Sequence, residues 1–437
     1  MRLLLTHTLA GIALVLAVPL IPLPVVAQDD EIIAAWVQYT AEGIEARAVV
    51  RFDCPMLSVD GRRVRMAERA SPTSEHPNTV CAAEISRYAR SLQLDDRSLP
   101  APTKKRPKRI VIMGDTGCRL SRGHGLYQEC NNDSLWPFAQ VARSVAAYAP
   151  DLILYTGDYI YRESPCPEGN RGCQGSPFGD TQATWEADWL VPARPVHAAA
   201  PLVLARGNHE TCVRAGKGWF RYLDARPPPP APGCERSTDP WVVSFPGIQF
   251  AVMDTANLKG SGGSSLAGLF ADQLSYLDTV LKEPAWIISH RTFWGFGADD
   301  NTGELTTPTS QLRAAVNSAG LPREVHFLVG AHIHLAEVLD FGGVRPPQLV
   351  AANSGTQLVS RVEPPGDIDG VEIQEHEVLY QYGFVAMEAT GKRGWSISFR
   401  DIEGRELEKC LLRGKRVRCD DDDDSDEDSE EDSEEDR

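Results

Sequence analysis

After its first 27 residues, the 437-residue chain has no apolar run long enough to cross a bilayer, which excludes a bundle of membrane-spanning helices. It has no internal repeat in its folded part, so repeat architectures are excluded as well. Basic excess is also missing. Of the formal charge of −17, −13 sits in residues 420–437, which leaves −4 for everything before them and no electrostatic track for nucleic acid. The one basic run, "KKRPKR" at 104–109, is interrupted by a proline and reads as a solvated linker. No cysteine precedes Cys54, which argues against a lipid-modified N-terminal anchor.

The first 27 residues carry Arg2, an apolar stretch broken by Pro19, Pro22 and Pro24, and the small residues Val25 and Ala27 before a switch to acids. This pattern predicts a cleaved secretory signal ending at Ala27 and an exported protein, periplasmic or secreted; the alternative is an uncleaved anchor over residues 8–26. Ten cysteines follow: Cys54, Cys81, Cys118, Cys130, Cys166, Cys173, Cys212, Cys234, Cys410 and Cys419. An even count in an exported chain favours disulfides. Connectivity does not follow from sequence, although pairing neighbours in chain order gives five short loops.

With 42% hydrophobic residues the chain can bury a large core. Residues 28–104 alternate apolar and polar positions in "AAWVQYTAEGIEARAVVRF" and then turn Ser/Pro-rich, which predicts a small β-rich N-terminal domain without a catalytic constellation. From 105 to 400 the apolar runs "RIVIM", "DLILYT", "PLVLA", "IQFAVMD", "AWIIS", "HFLVG" and "PQLVAAN" alternate with helical stretches at 134–149, 180–194, 270–282 and 309–318. That alternation predicts an α/β catalytic domain with buried strands. Residues 401–419 read as a disulfide-closed hairpin. The tail from 420 to 437 has fourteen acids, one base and nothing apolar to bury, so it is expected to be disordered. It is either a solubilising tail or a weak binder of divalent cations.

Polar residues stand where these apolar runs end: Asp115 after "RIVIM", Asp158 and Tyr161 after "DLILYT", Asn208, His209 and Glu210 after "PLVLA", His290 after "AWIIS", His332 and His334 after "HFLVG". Ligand sites in α/β sheets collect at the carboxyl ends of strands. Five strand ends supplying Asp, Asp, Tyr, Asn and three His form an inventory of metal ligands. His332 and His334, two apart in a segment expected to be extended, would point to the same side.

The stretches "GDTG", "GDYIY", "GNHE", "IISH" and "AHIH" together resemble the calcineurin-like metallophosphoesterases, and among them the purple acid phosphatases, over roughly residues 109–355. In "AHIH" the glycine of the usual pattern is displaced by one and Ala331 precedes His332. The resemblance implies a β-sandwich flanked by helices and two metals bridged by Asp158. Asp115, Tyr161 and His334 would complete one site, and Asn208, His290 and His332 the other. It implies Fe(III) beside Fe(II), Zn(II) or Mn(II), because a phenolate is a hard ligand suited to a trivalent ion. Metal-bound hydroxide would then hydrolyse a small phosphate ester, His209 would protonate the leaving group, and Glu210 would support it from behind. Disulfides at Cys118, Cys166 and Cys212 would steady ligand loops, and the prolines at 227–230 would help wall the substrate pocket. Two other readings remain open here. One is a dizinc or dimanganese phosphodiesterase or nucleotidase on the same scaffold; the other is a non-catalytic cation-binding or interaction protein.

Overall fold

A computed structural model of the chain describes residues 31–230, 233–258, 266–299, 302–307, 310–391 and 394–419. The expected signal segment and the acidic tail lie outside them. The described residues from Ile32 onward group as one compact unit.

The apolar runs form the strands they predict, because parallel strands covered on both faces need continuous Val, Ile and Leu. Arg109–Met113, Leu152–Tyr155 and Leu202–Leu204 pair in parallel, with Ile153 opposite both Val111 and Leu202. They occupy the middle of an eleven-stranded sheet. Ile248–Met253, Ala285–Ser289, Val325–Gly330 and Gln348–Ala351 pair in parallel within a second sheet of seven strands.

The two sheets face each other. One buried cluster joins Ile110, Ile112, Leu154 and Val385 of the first sheet to Phe250, Trp286, Phe327 and Leu349 of the second. Helices cover the outer faces: Phe138–Tyr148 and Arg194–Ala199 behind the first sheet, Ala267–Val280 and Ser310–Ala319 behind the second. The architecture is an α/β sandwich flanked by helices.

The β-rich N-terminal segment is present; four of its strands continue the first sheet and four others, between Met56 and Leu99, form a small sheet of their own. Ile32–Tyr39 pairs in parallel with Leu202–Leu204 and antiparallel with Ile44–Val50. Its alternation predicts one wet face, yet all eight residues are buried. Ile32, Ala35 and Val37 face the second sheet, while Ile33, Ala34 and Trp36 meet the helical layer. Residues 394–419 form three antiparallel strands at the opposite edge, Gly394–Asp401, Glu406–Arg413 and Arg416–Cys419, the last two joined by a disulfide between Cys410 and Cys419. The remaining disulfides join 54 to 81, 118 to 130, 166 to 173 and 212 to 234, so all five follow chain order and no cysteine is free.

Candidate metal centre

The parallel strands of both sheets end at one place, and the loops leaving them bring the seven candidate ligands together. Tyr161 Oη lies 2.5 Å from Asp115 Oδ1, 2.8 Å from Asp158 Oδ2 and 2.8 Å from His334 Nε2. Beside this group, His290 Nε2 lies 3.1 Å from Asp158 Oδ2 and 3.0 Å from Asn208 Oδ1. Ligand-type atoms of Asp158, His290 and His332 all fall within 4.8 Å of one another. Asp158 therefore belongs to both groups.

Close approach of three loops requires glycine at two positions. Gly157 has φ +103, and a Cβ there would meet Gly207 N at 2.7 Å and His290 Nδ1 at 3.0 Å; a Cβ on Gly207 would collide with Asp158. Four candidate ligands are themselves left-handed without being glycine: Asp115, Asp158, His332 and His334, with φ of 54, 57, 79 and 49. Strain of this kind persists only where the surroundings fix it, and it gathers at functional sites. The histidine pair corrects an expectation: the His332–His334 segment is bent, and left-handed turns rather than an extended backbone bring both rings to the site. Ala331 is fully buried there, and its N–H donates to the His290 carbonyl at 2.8 Å.

Two buried carboxylates hold the loops in place. Glu210 Oε2 accepts from the N–H groups of Gly207 and Asp158, each at 3.0 Å, and Oε1 from Tyr159 at 2.9 Å and Ile160 at 3.2 Å. Burial and then Asp158 push its pKa up to about 8, against the pull of N–H donors. Glu210 thus clamps "GNHE" to "GDYIY" rather than backing His209, as the sequence suggested. Asp188, which sequence reasoning missed, accepts from Cys118 N at 3.2 Å and Tyr161 N at 3.0 Å and pairs with Arg162 at 2.5 Å.

The His209 ring packs against Tyr161, tilted by 36° with ring centres 3.8 Å apart; its Nε2 is 4.0 Å from Asp158 Oδ2 and its Nδ1 2.9 Å from Glu163 Oε1. Glu163, two residues beyond Tyr161, also meets Arg214 Nε at 3.0 Å. Burial opposes its ionisation, but His209 and Arg214 hold its carboxyl below the usual range. An acid two residues from Tyr161 in the sequence was the available signal. The proline run lies elsewhere: Pro228 and Pro229 line a cavity of about 550 Å³ with Arg69, His76, Phe220 and Arg221, none of them candidate site residues.

Three observations test whether this donor set fits metal ions. Asp115, Asp158 and Glu210 are fully buried together, a concentration of carboxylate that is costly without cations. Tyr161 has a single proton to offer three neighbours. His332 Nδ1 is buried with no hydrogen-bond partner. The Tyr161–His334 and His334–Asp115 separations, 2.8 and 3.4 Å, are also those of atoms sharing an ion at about 2.0–2.2 Å. The residues fit a metal.

A sequence model described as calcineurin-like phosphoesterase matches residues 108–335, more than half of the chain. The chain belongs to the calcineurin-like phosphoesterase family. Two solved structures resemble this phosphoesterase. One is purple acid phosphatase PPD1 from yellow lupin (Lupinus luteus) seeds, with TM-score 0.54 and 12% identity, covering 87% of this chain and 74% of that one. The other is PhoD, with TM-score 0.54 and 12% identity, covering 89% and 91%. At this identity the likeness is one of fold. No curated protein matches the sequence. Family membership implies phosphoester hydrolysis at a binuclear metal centre, with small phosphate esters as the substrate class. No helix among the described residues is long and apolar enough to cross a membrane, and the five disulfides fit an oxidising, exported setting.

Proposed function

We propose that the chain is an acid phosphatase of the purple type, hydrolysing phosphate esters with Fe(III) and a divalent ion, Fe(II), Zn(II) or Mn(II). The observation that carries this reading is Tyr161 Oη set against Asp115, Asp158 and His334 at 2.5–2.8 Å. Burial and the two carboxylates keep the Tyr161 phenol well above its ordinary pKa, so only a strongly charged cation would displace its proton. Asp115, Tyr161 and His334 would hold the trivalent ion, Asn208, His290 and His332 the divalent one, and Asp158 both. When bound, such a pair supplies Lewis-acid charge at the phosphoryl group and acidifies a water nucleophile.

The remaining chemistry belongs to the chain. Glu163 fixes the His209 ring from Nδ1 and leaves Nε2 facing the site, where it can hand a proton to the departing oxygen. Burial lowers the His209 pKa, whereas Asp158 and Glu163 pull it back up, so the proton-donating form belongs to the acidic side of neutrality. Its ring packs against Tyr161, which holds the donor beside the ligands.

Metal analysis and a visible spectrum of the purified protein test the reading. Iron with a second metal, a visible tyrosinate-to-iron band and ester hydrolysis are expected. A colourless, active protein holding only zinc or manganese would replace it with the dizinc or dimanganese phosphodiesterase or nucleotidase reading.

A further inference from the structure

Arg291 follows His290 and is a buried cation of the site, 9% exposed. Its main chain is fixed on both sides: the N–H donates to Thr255 Oγ1 at 2.9 Å, and the carbonyl accepts from Ser289 Oγ at 2.9 Å. The guanidinium is far less satisfied. Nη1 lies 2.7 Å from His332 Nε2, Nε is buried with no hydrogen-bond partner, and no carboxylate among the described residues is within ion-pairing distance. A guanidinium has five N–H donors, no acceptor and a permanent charge, and burying it without an anion is unfavourable.

Its one side-chain partner is lost in the role argued for His332. If Nδ1 gives its lone pair to a metal, the ring proton sits on Nε2 and opposes an arginine N–H. Arg214 is already engaged, its Nε on Glu163 Oε1 at 3.0 Å. The acceptor that Arg291 lacks must then arrive with the substrate.

We propose that Arg291 grips two non-bridging oxygens of the substrate's phosphoryl group through its planar fork, and that this contact selects phosphate monoesters over diesters. The inference rests on the hydrolytic reading above. Two parallel N–H···O bonds are the geometry guanidinium offers to phosphate and ammonium does not. A monoester has three non-bridging oxygens, so two remain for the fork when one faces the metal ions. A diester has two, so at most one remains.

The test uses the metal-loaded protein and the variants R291Q and R291K. Metal content is measured directly, inorganic phosphate binding by calorimetry, and kcat and KM on p-nitrophenyl phosphate and bis(p-nitrophenyl) phosphate. Both variants should keep two metals. R291Q should bind phosphate about 10–100-fold more weakly and lose roughly 10²–10³ in kcat/KM on the monoester, but less than about fivefold on the diester. R291K, with charge but no fork, should fall nearer R291Q than wild type. Unchanged phosphate affinity, equal losses on both esters, or loss of metal from R291Q would each overturn the proposal. Wild-type protein that binds no metal and cleaves neither ester would overturn the hydrolytic reading beneath it.

Discussion

Loops of the first sheet bring oxygen to the site, and loops of the second bring nitrogen. Asp115, Asp158, Tyr161 and Asn208 follow strands of the eleven-stranded sheet, whereas His290, His332 and His334 follow strands of the seven-stranded one. The two halves are secured differently. The oxygen half has the Glu210 and Asp188 clamps and three disulfides, Cys118–Cys130, Cys166–Cys173 and Cys212–Cys234. The nitrogen half has no disulfide and is held by packing and by single hydrogen bonds, such as His290 Nδ1 to the Thr156 carbonyl at 3.0 Å and the Ala331 N–H to the His290 carbonyl at 2.8 Å. Carboxylates crowded without a cation repel, whereas neutral imidazoles do not. The cross-links sit on the side that concentrates negative charge.

The comparison breaks most completely at the residue both halves share. Asp158→Ala should remove both metals and reduce hydrolysis to background, whereas His332→Ala, on the nitrogen side alone, should lower the metal count from two to one. Elemental analysis beside steady-state rates decides it, and an Asp158 variant with normal metal content would end the bridging assignment. His209 belongs to the oxygen half by position yet is assigned no metal. His209→Ala should keep both ions and lose about 10²–10⁴ in rate, most for poor leaving groups, and Glu163→Gln should lose part of that.

Stability tests whether the oxygen half is the better fastened. Glu210→Ala strands four buried N–H groups and should destabilise the fold by about 3 kcal/mol or more, against less than about 1 kcal/mol for His332→Ala, measured by urea unfolding. Similar losses would mean the clamp is not where the rigidity lies. The last effect is set by pH. His197 is buried between Trp36 and Trp189 with neither ring nitrogen paired, and burial pulls its pKa down to about 3. The folded chain holds it neutral while the unfolded chain protonates it below about 6.5, so stability should fall as pH drops from about 6.5 towards 3, at most ~1.4 kcal/mol per unit. His197→Leu should flatten that acid limb; an unchanged limb would assign it to other groups.

Strands and helices were legible because doubly covered parallel strands write themselves as uninterrupted Val, Ile and Leu. Arg109–Met113 and Ala285–Ser289 stand where "RIVIM" and "AWIIS" put them. The candidate ligands were legible because each follows such a run. Glu163, Asp188 and Arg291 were not singled out: charged residues are ordinary at surfaces, and only the fold shows that their partners at His209, Cys118 and His332 are near. The left-handed backbone of Asp115 and His332 was hidden for a related reason, since neither is glycine. The place of Ile32–Tyr39 was hidden by distance, because the strand it joins lies more than 160 residues away.

That parallel pairing also sets an order of events for a growing chain. The Ile32–Val50 hairpin and all five disulfides close over short separations, the disulfides over 7–27 residues, so each can form soon after its second half emerges. The contact of Gln38 with Leu202 waits for the whole intervening stretch and pays a larger loop-closure entropy. Asp115 and Asp158 lie inside that stretch. The site waits longer still, because His290, His332 and His334 are made after Leu202, when the cross-links at 118–130, 166–173 and 212–234 are already available to it.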